Sequence, residues 1–201
     1  MNIAILGTGN VGQRLHHLLS PHVASSLLCA RQPQPGTPGF AQGAAQADVV
    51  LLAIPFTALA DVLPGLQAAL RGKIVVDCTN PLNADWSPLL LGQENSAGEE
   101  VARLLPQSRV VKAFNTIFAD VMTAERQDRG GLRTTAFVAG DDTQAKAAVL
   151  SLASAAGFAP LDVGPLTMAR HLEAMAHLNI QIAVGQKGGT NAAFVYHQMA
   201  A

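Results

Sequence analysis

Short apolar runs alternate along the chain with stretches in which hydrophobic residues recur every three or four positions. This is the pattern of a parallel sheet flanked by helices. Asn2–Leu6 predicts a first strand, and Val11, Leu15, Leu18 and Leu19 share one face of a helix over Asn10–Leu19 that Ser20-Pro21 ends. Residues 26–30 predict a second strand. The stretch 31–39 carries three prolines in nine residues, so it can hold neither helix nor ladder. Residues 48–54 form an unbroken apolar run, as expected of a strand buried on both faces. A helix over 57–70 is interrupted by Pro64-Gly65, and 73–78 is a fourth strand. A long loop, 79–95, holds the only Trp, Trp86. Ser96-Ala97-Gly98-Glu99 is a capping box that opens a helix to about Leu105. Strands follow at 109–114 and 134–139, separated by an exposed, Gly-containing excursion at 123–133. A helix over 142–156 turns Ala145, Ala148, Val149 and Leu152 inward and stops at Gly157. Residues 160–163 form a last short strand. A final helix begins after Gly164-Pro165 and runs to about Val184, before a tail that is first Gly-rich and then apolar.

Composition narrows the class. The chain has 201 residues, 49% hydrophobic and 13% charged, which suits a domain with a real core and excludes disorder. Gly plus Pro is 29 of 201 without a period, so a collagen-like filament is excluded. A net charge of −1 lacks the cation excess that nucleic acid demands of a partner. Cys29 and Cys78 lie in apolar runs and cannot make a disulfide framework. No apolar stretch reaches the roughly 18 residues of a membrane span, and Met1-Asn2-Ile3-Ala4-Ile5-Leu6 lacks the basic start of a signal peptide. A soluble cytoplasmic protein, with neither nucleic acid nor membrane as partner, is expected.

The sharpest motif is Gly7-Thr8-Gly9-Asn10-Val11-Gly12, a G-x-G-x-x-G set between a strand and a helix. Gly7 allows the tight turn, Gly9 lets backbone approach a pyrophosphate, and Gly12 lets helix pack on strand. The helix start then offers free N–H groups and a positive dipole end to phosphates. The expected fold is therefore α/β and Rossmann-type: a doubly wound, mostly parallel sheet. NAD sites usually carry Asp or Glu at the end of the second strand. This chain has no acid before Asp48 and places Arg31 there, which favours NADP through its 2′-phosphate.

Other chemistry finds little support. No Ser-His-Asp arrangement with nucleophile-elbow spacing is present, and no CxxC or HxxxH, so neither a catalytic residue nor a metal site is assigned. His16 and His17 fall on the outer face of the first helix. His171 and His177, on the last helix, read as surface or satisfied core. Asn179 interrupts an apolar stripe of Leu172, Met175 and Ile182; a bond to a nearby backbone carbonyl is expected, a ligand or subunit contact being the alternative. Cys78 reads as a buried small hydrophobe, and Trp86 as either a loop anchor or a wall of an acceptor pocket.

Several stretches together resemble one family, the NADP oxidoreductases dependent on coenzyme F-420 (F420), and also the NADPH-binding domain of the six-transmembrane ferric reductases. They are the glycine loop, Ala53-Ile54-Pro55, Val76-Asp77-Cys78-Thr79-Asn80-Pro81-Leu82 and Val111-Lys112-Ala113-Phe114-Asn115-Thr116-Ile117. Ala139-Gly140-Asp141-Asp142, Leu161-Asp162-Val163-Gly164-Pro165-Leu166 and Ala169-Arg170-His171-Leu172-Glu173 continue the match in order along nearly the whole chain. The resemblance implies that Thr8, Gly9, Asn10 and Val11 line the pyrophosphate and that Arg31 holds the 2′-phosphate. It implies that Ile54 and Pro55, beyond Ala53, pass under the adenosine or its ribose, and that Asn80, Pro81 and Leu82 approach the nicotinamide. Asn115, Ile117 and Ala119 match the stretch that in the family lies at the nicotinamide and deazaflavin rings. The F420 enzymes tend to carry His at the position of Asn115, and the ferric-reductase domains Asn. Ala30 stands where the family often has Ser before the arginine.

The implied reaction is hydride transfer between NADP(H) and a planar, cofactor-like acceptor such as F420 or a flavin. The protein's part is to hold two rings face to face. A non-enzymatic NADPH-binding partner protein and a small imine reductase of the pyrroline carboxylate type are the alternatives. Residues 1–163 suffice for the dinucleotide-binding domain. Residues 164–201 then form a short helical extension that completes the acceptor site and supplies a homodimer surface, including Ala192-Ala193-Phe194-Val195-Tyr196.

Overall fold

The computed structural model describes residues 1–92 and 94–199. Seven strands form one sheet: β1 (Asn2–Leu6), β2 (Ser25–Cys29), β3 (Val49–Leu52), β4 (Ile74–Asp77), β5 (Arg109–Ala113), β6 (Thr135–Gly140) and β7 (Ala159–Asp162). Their order is β2-β1-β3-β4-β5-β6-β7, parallel throughout except where β6 runs antiparallel to β5. This is the doubly wound, mostly parallel sheet that the alternating pattern implies.

Helices cover both faces. α1 (Asn10–Leu19) and α6 (Thr143–Ala155) lie on one side; α2 (Phe40–Gln46), α3 (Leu59–Val62), α4 (Gln67–Leu70), α5 (Ala97–Leu104) and α7 (Ala169–Ile180) lie on the other. The strands show why. Ile3 and Ile5 of β1 enter the first core while Ala4 and Leu6 enter the second; in β6, Ala136 and Val138 face one way and Phe137 and Ala139 the other. A period of two with both phases apolar belongs to a central strand covered on both faces.

Several boundaries differ from the sequence reading for local reasons. Pro64-Gly65 breaks the expected helix over 57–70 into α3 and α4, joined by the 3₁₀ turn Leu63–Leu66, and a second 3₁₀ turn, Phe56–Ala58, precedes α3. α2 carries no clear periodic signal. It forms because Phe40, Gly43 and Ala44 bury against the sheet, and because a Cβ at Gly43 would overlap the Cys29 Sγ. The last helix turns into a π turn over Gln181–Gly185. Asn179, ahead of this turn, keeps its place on the buried face at 7% exposure, whereas Ile182, within it, leaves the expected stripe and is 47% exposed.

The antiparallel step decides what stands at the sheet's carboxyl edge. β5 ends there and β6 begins there, so the whole 114–134 connection lies along that edge. The chain then returns to the amino edge, and α7 runs back beside α5 until its second half reaches the loop after β4, where His177 Nε2 meets the Pro81 carbonyl at 3.1 Å. The tail folds onto its own sheet. Phe194 packs against the cluster of Phe137, Ala139 and Leu172, its carbonyl accepts from Thr135 N at 3.0 Å, and Tyr196 N donates to Thr135 Oγ1 at 2.8 Å. These contacts fill the space beside β6 that β5 vacates when it turns at Phe114. Among the described residues no helix is long and apolar enough to cross a membrane.

Candidate functional site

β1 runs to β2 on one side and β3 lies on the other, so the chain changes direction between β1 and β3. Loops leaving adjacent strands in opposite directions open a crevice at their carboxyl ends, the common ligand position of open α/β sheets. The loops leaving β1 and β3 meet there. Gly7 has φ +125° and its N–H donates to the Cys29 carbonyl at 3.0 Å. A Cβ on Gly7 would lie 2.7 Å from the Ala53 carbonyl carbon, so no other residue brings the two loops this close. Gly12 is buried, and a Cβ there would sit 3.0 Å from the Gly7 carbonyl carbon and nearer still to its oxygen. Gly9 is the opposite case: it is exposed, with nothing within 4 Å of the Cβ position.

Gly9 caps α1 in an extended conformation with no side-chain cap, and the first turn holds no acidic residue. The first intrahelical bond is made by Gln13 N to the Gly9 carbonyl, so the N–H groups of Asn10, Val11 and Gly12 are left without helical acceptors. Gln13 Nε2 donates to the Thr8 carbonyl at 2.8 Å and steadies the loop. Open space above a helix start with free donors and a positive dipole end is suited to an anion.

Arg31 follows a bridge between Ala30 and Gly39 that pins the Pro-rich loop to the end of β2. It is exposed and has no ion-pair partner among the described residues. It lines a groove of about 460 Å³ with Pro33, Gly39, Asp61, Val62 and Gly65. Ala53 and Ile54 are half-buried beside this crevice, and Pro55 is exposed as it starts a 3₁₀ turn.

The loops after β4 and β5 make a second group. Asn80 Nδ2 donates to the Asn115 carbonyl at 2.8 Å, and Asn115 Nδ2 donates to Asn80 Oδ1 at 2.9 Å and to the Leu172 carbonyl at 3.1 Å. Both hydrogens of the Asn115 amide are thus spent within the protein. Among the described residues its Oδ1 is buried without a partner, as is the hydroxyl of Thr79, next to Asn80. Orphaned buried acceptors of this kind call for a donor from a ligand or a water. Phe114, just before Asn115, adopts φ +64°, a strained conformation for a bulky residue, and it turns the chain off β5 toward Asn80. Pro81 is buried, Leu82 and Ala119 are half-buried, and Ile117 sits in the core at 5% exposure.

Behind these loops lies a charged cluster of Lys112, Asp77 and Glu173. Lys112 Nζ meets Asp77 Oδ2 at 2.8 Å, Glu173 Oε1 at 2.7 Å and the Thr79 carbonyl at 2.6 Å. The Lys112 and Asp77 side chains are fully buried, and the two are register partners on adjacent strands. The Glu173 carboxylate also accepts from Ala97 N at 2.9 Å and Gly98 N at 3.2 Å, at the start of α5. Desolvation alone would lower the Lys112 pKa, but the two carboxylates outweigh it and hold the ammonium above its usual value. A signal was present in the sequence, since a Lys and an Asp inside strands buried on both faces require partners.

Other residues fall differently. His16 is half-buried, and its Nδ1 is 2.8 Å from the Ser26 hydroxyl, so it does not lie on the outer face of α1; β2 packs over it. Burial, and secondarily His17, hold its pKa below the usual value. Asn179 is buried, yet no hydrogen-bond partner for its side chain is found among the described residues; the expected carbonyl bond is not made. Trp86 is 54% exposed with φ +69°. Cys78 packs against the core, and burial, then Asp77, push its thiol pKa up. Among the described residues no three His, Cys, Asp or Glu side chains are placed to hold a metal ion.

Residues 2–81 match the family model described as NADP oxidoreductase coenzyme F420-dependent. The chain is 34% identical over 182 residues to the metalloreductase STEAP3 of Rattus norvegicus, covering 86% of this chain and 36% of that one. It is 32% identical over 149 residues to the F420-dependent NADP reductase of Methanocaldococcus jannaschii, covering 72% of this chain and 66% of that one. The chain therefore spans about a third of the first relative's length and just under two thirds of the second's. A crystal structure of a candidate F420-dependent NADP reductase from Arthrobacter sp. FB24 superposes with a TM-score of 0.86 at 30% identity, over 98% of this chain and 100% of that one.

Proposed function

The chain belongs to the family of coenzyme F420-dependent NADP oxidoreductases, and on that premise we propose that it transfers a hydride between NADP(H) and a planar acceptor such as F420 or a flavin. The observation that carries the reading is the shape of the carboxyl edge. Along it, in the order of the strands, come Arg31 beside a groove after β2, an open cradle at Gly9 with free N–H donors after β1, and Asn115 after β5, whose Oδ1 has no partner among the described residues.

Each of these fits one part of a dinucleotide phosphate. The N–H groups of Asn10, Val11 and Gly12 hold the pyrophosphate, with Thr8 and Gly9 shaping its approach. Arg31 pairs with the 2′-phosphate by charge-assisted hydrogen bonds, and no acid occurs in the sequence between β2 and Asp48, where an NAD site would carry one. Ile54 and Pro55, next to Ala53, form the floor beneath the adenosine. Asn80, Pro81 and Leu82 border the nicotinamide, and Asn115 Oδ1 is free to accept from its carboxamide. Ile117 and Ala119 lie on the acceptor's side.

When bound, NADPH supplies a hydride from carbon 4 of its nicotinamide. The protein's own work is to orient the two rings and exclude water. No side chain has to act as a nucleophile. α7 brings Leu172 and His177 against the nicotinamide loops, and the tail seats Phe194 on the sheet nearby. We place the protein in the cytoplasm, a reading supported by two unpaired cysteines, as expected in a reducing compartment. We also propose a homodimer through the exposed Leu178, Ile182 and Val184, with no nucleic acid or membrane as partner.

The test is an anaerobic assay with NADPH and F420, FMN, FAD or a quinone. Acceptor-dependent loss of NADPH absorbance is expected with at least one of them, and NADPH that stays reduced with all of them sinks the proposal.

A further inference from the structure

We propose that Asp77, Lys112 and Glu173 are positioning residues that preset the nicotinamide end of the site before any nucleotide binds; the inference rests on the NADP(H) reading above. The three side chains come from β4, β5 and α7, and none is in contact with solvent beyond a 5% margin at Glu173. Every donor of the ammonium is used: two carboxylates and the Thr79 carbonyl. The remaining oxygens are used too, since Asp77 Oδ1 accepts from Thr79 N at 2.9 Å and Glu173 accepts from the start of α5.

The residues tied down this way flank the Asn80–Asn115 clamp. Thr79, held at both its carbonyl and its N–H, precedes Asn80. Glu173 follows Leu172, whose carbonyl takes one hydrogen of the Asn115 amide. Lys112 lies on β5, which leads directly into Phe114 and Asn115. The cluster therefore sets three backbone positions at once, and these orient the Asn115 amide with its Oδ1 free. Hydrophobic packing could join the same elements with comparable stability, because buried ion triads add little net free energy. What a charged triad adds is direction: each of the three N–H donors of the buried ammonium needs an oxygen, which ties β4, β5 and α7 to one point.

The experiment compares two ligands on the full chain by isothermal titration. NADP⁺ carries the nicotinamide; 2′-phospho-ADP-ribose has the same phosphates and adenosine without it. Glu173→Gln removes one charge. The combined variant Asp77→Asn, Lys112→Met and Glu173→Gln neutralises the triad while keeping acceptors for Thr79 N and the α5 start. In both variants NADP⁺ affinity is expected to fall at least tenfold while 2′-phospho-ADP-ribose binds as in wild type. Equal losses for both ligands, or wild-type affinity for both, overturn the inference alone. Wild-type protein that binds neither ligand overturns the NADP(H) reading and the inference with it.

The unmodified chain offers a second measurement that does not depend on variants folding. The Asn115 side-chain amide protons should exchange slowly without nucleotide, and their NMR shifts should move with NADP⁺ and not with 2′-phospho-ADP-ribose. Fast exchange in the free protein, or the same shift with both ligands, overturns the presetting.

Discussion

Two glycines of one loop should respond to the same substitution in opposite ways. At Gly12 an added Cβ meets the Gly7 carbonyl group, with the carbon 3.0 Å away and the oxygen closer. Both are backbone atoms between a buried strand and a buried helix face, so no rotamer change relieves the overlap and α1 must shift off β1. Overpacking of this kind costs about 3 kcal/mol, which for a chain of this size lowers Tm by roughly 6–12 °C. At Gly9 the Cβ meets nothing within 4 Å, and φ −74° with ψ −177° suits any residue. The weaker helix cap costs a few tenths to about 1 kcal/mol, and the stiffer unfolded chain returns about 0.4–1 kcal/mol. Gly9→Ala should therefore melt within about 2 °C of wild type. Its methyl group, however, fills the approach to the free N–H donors, so NADP⁺ affinity should fall about tenfold or more, equivalent to about 1.4 kcal/mol. Thermal melts and titration calorimetry on the two variants read both quantities. Gly9→Ala that binds NADP⁺ like wild type refutes the pyrophosphate placement, and Gly12→Ala that melts like wild type refutes the packing argument.

Arg31→Ala should weaken NADPH binding far more than NADH binding, because only NADPH carries the 2′-phosphate; equal losses would show that Arg31 does not select between them. Burial pushes the Cys29 thiol up to about 11, so in the native protein its reaction with a thiol reagent should stay slow at pH 8 and rise only on unfolding or near pH 11, and rapid native labelling at pH 8 contradicts this. The Arg170 guanidinium, bonded twice to Glu99 at 2.6 and 2.9 Å, holds that carboxyl below its usual range. A depressed folded pKa adds stability above the unfolded value near 4.5 that is lost as pH falls through the folded one. Glu99→Gln should therefore flatten the decline of Tm below pH 4.5, and an unchanged decline would count against the pair. If Leu178 and Ile182 bury in a dimer, Leu178→Glu with Ile182→Glu should sediment as a monomer where wild type does not; a monomeric wild type disposes of the interface.

How far each feature could be read from the chain follows the distance over which its cause acts. The glycine loop was legible because strand, turn and helix are contiguous, and each glycine answers to neighbours a few residues away or to the next loop. Arg31 was legible for the same reason, standing alone at the end of β2 with no acid before Asp48. α2 was not, because its Gly43 is unfavourable in a free helix and acceptable only against Cys29. His16 was placed outward because one helix's periodicity says nothing of the strand that packs over it at Ser26.

The alternation of buried strands with helices settled the fold class, and the glycine spacing with no acid after the second strand pointed to a dinucleotide phosphate. The sequence alone was sufficient for these because they arise from local propensity and from hydrophobic periods of two and of about three and a half. The tertiary structure decided the rest of the site. It ran β6 antiparallel to β5, which kept residues 114–134 at the ligand edge, and folded the tail back so that Phe194 lies on its own sheet. It also brought Asp77, Lys112 and Glu173 together from three separate elements. A buried charge must find its partner in space, and no pattern along one strand says which distant helix will carry it.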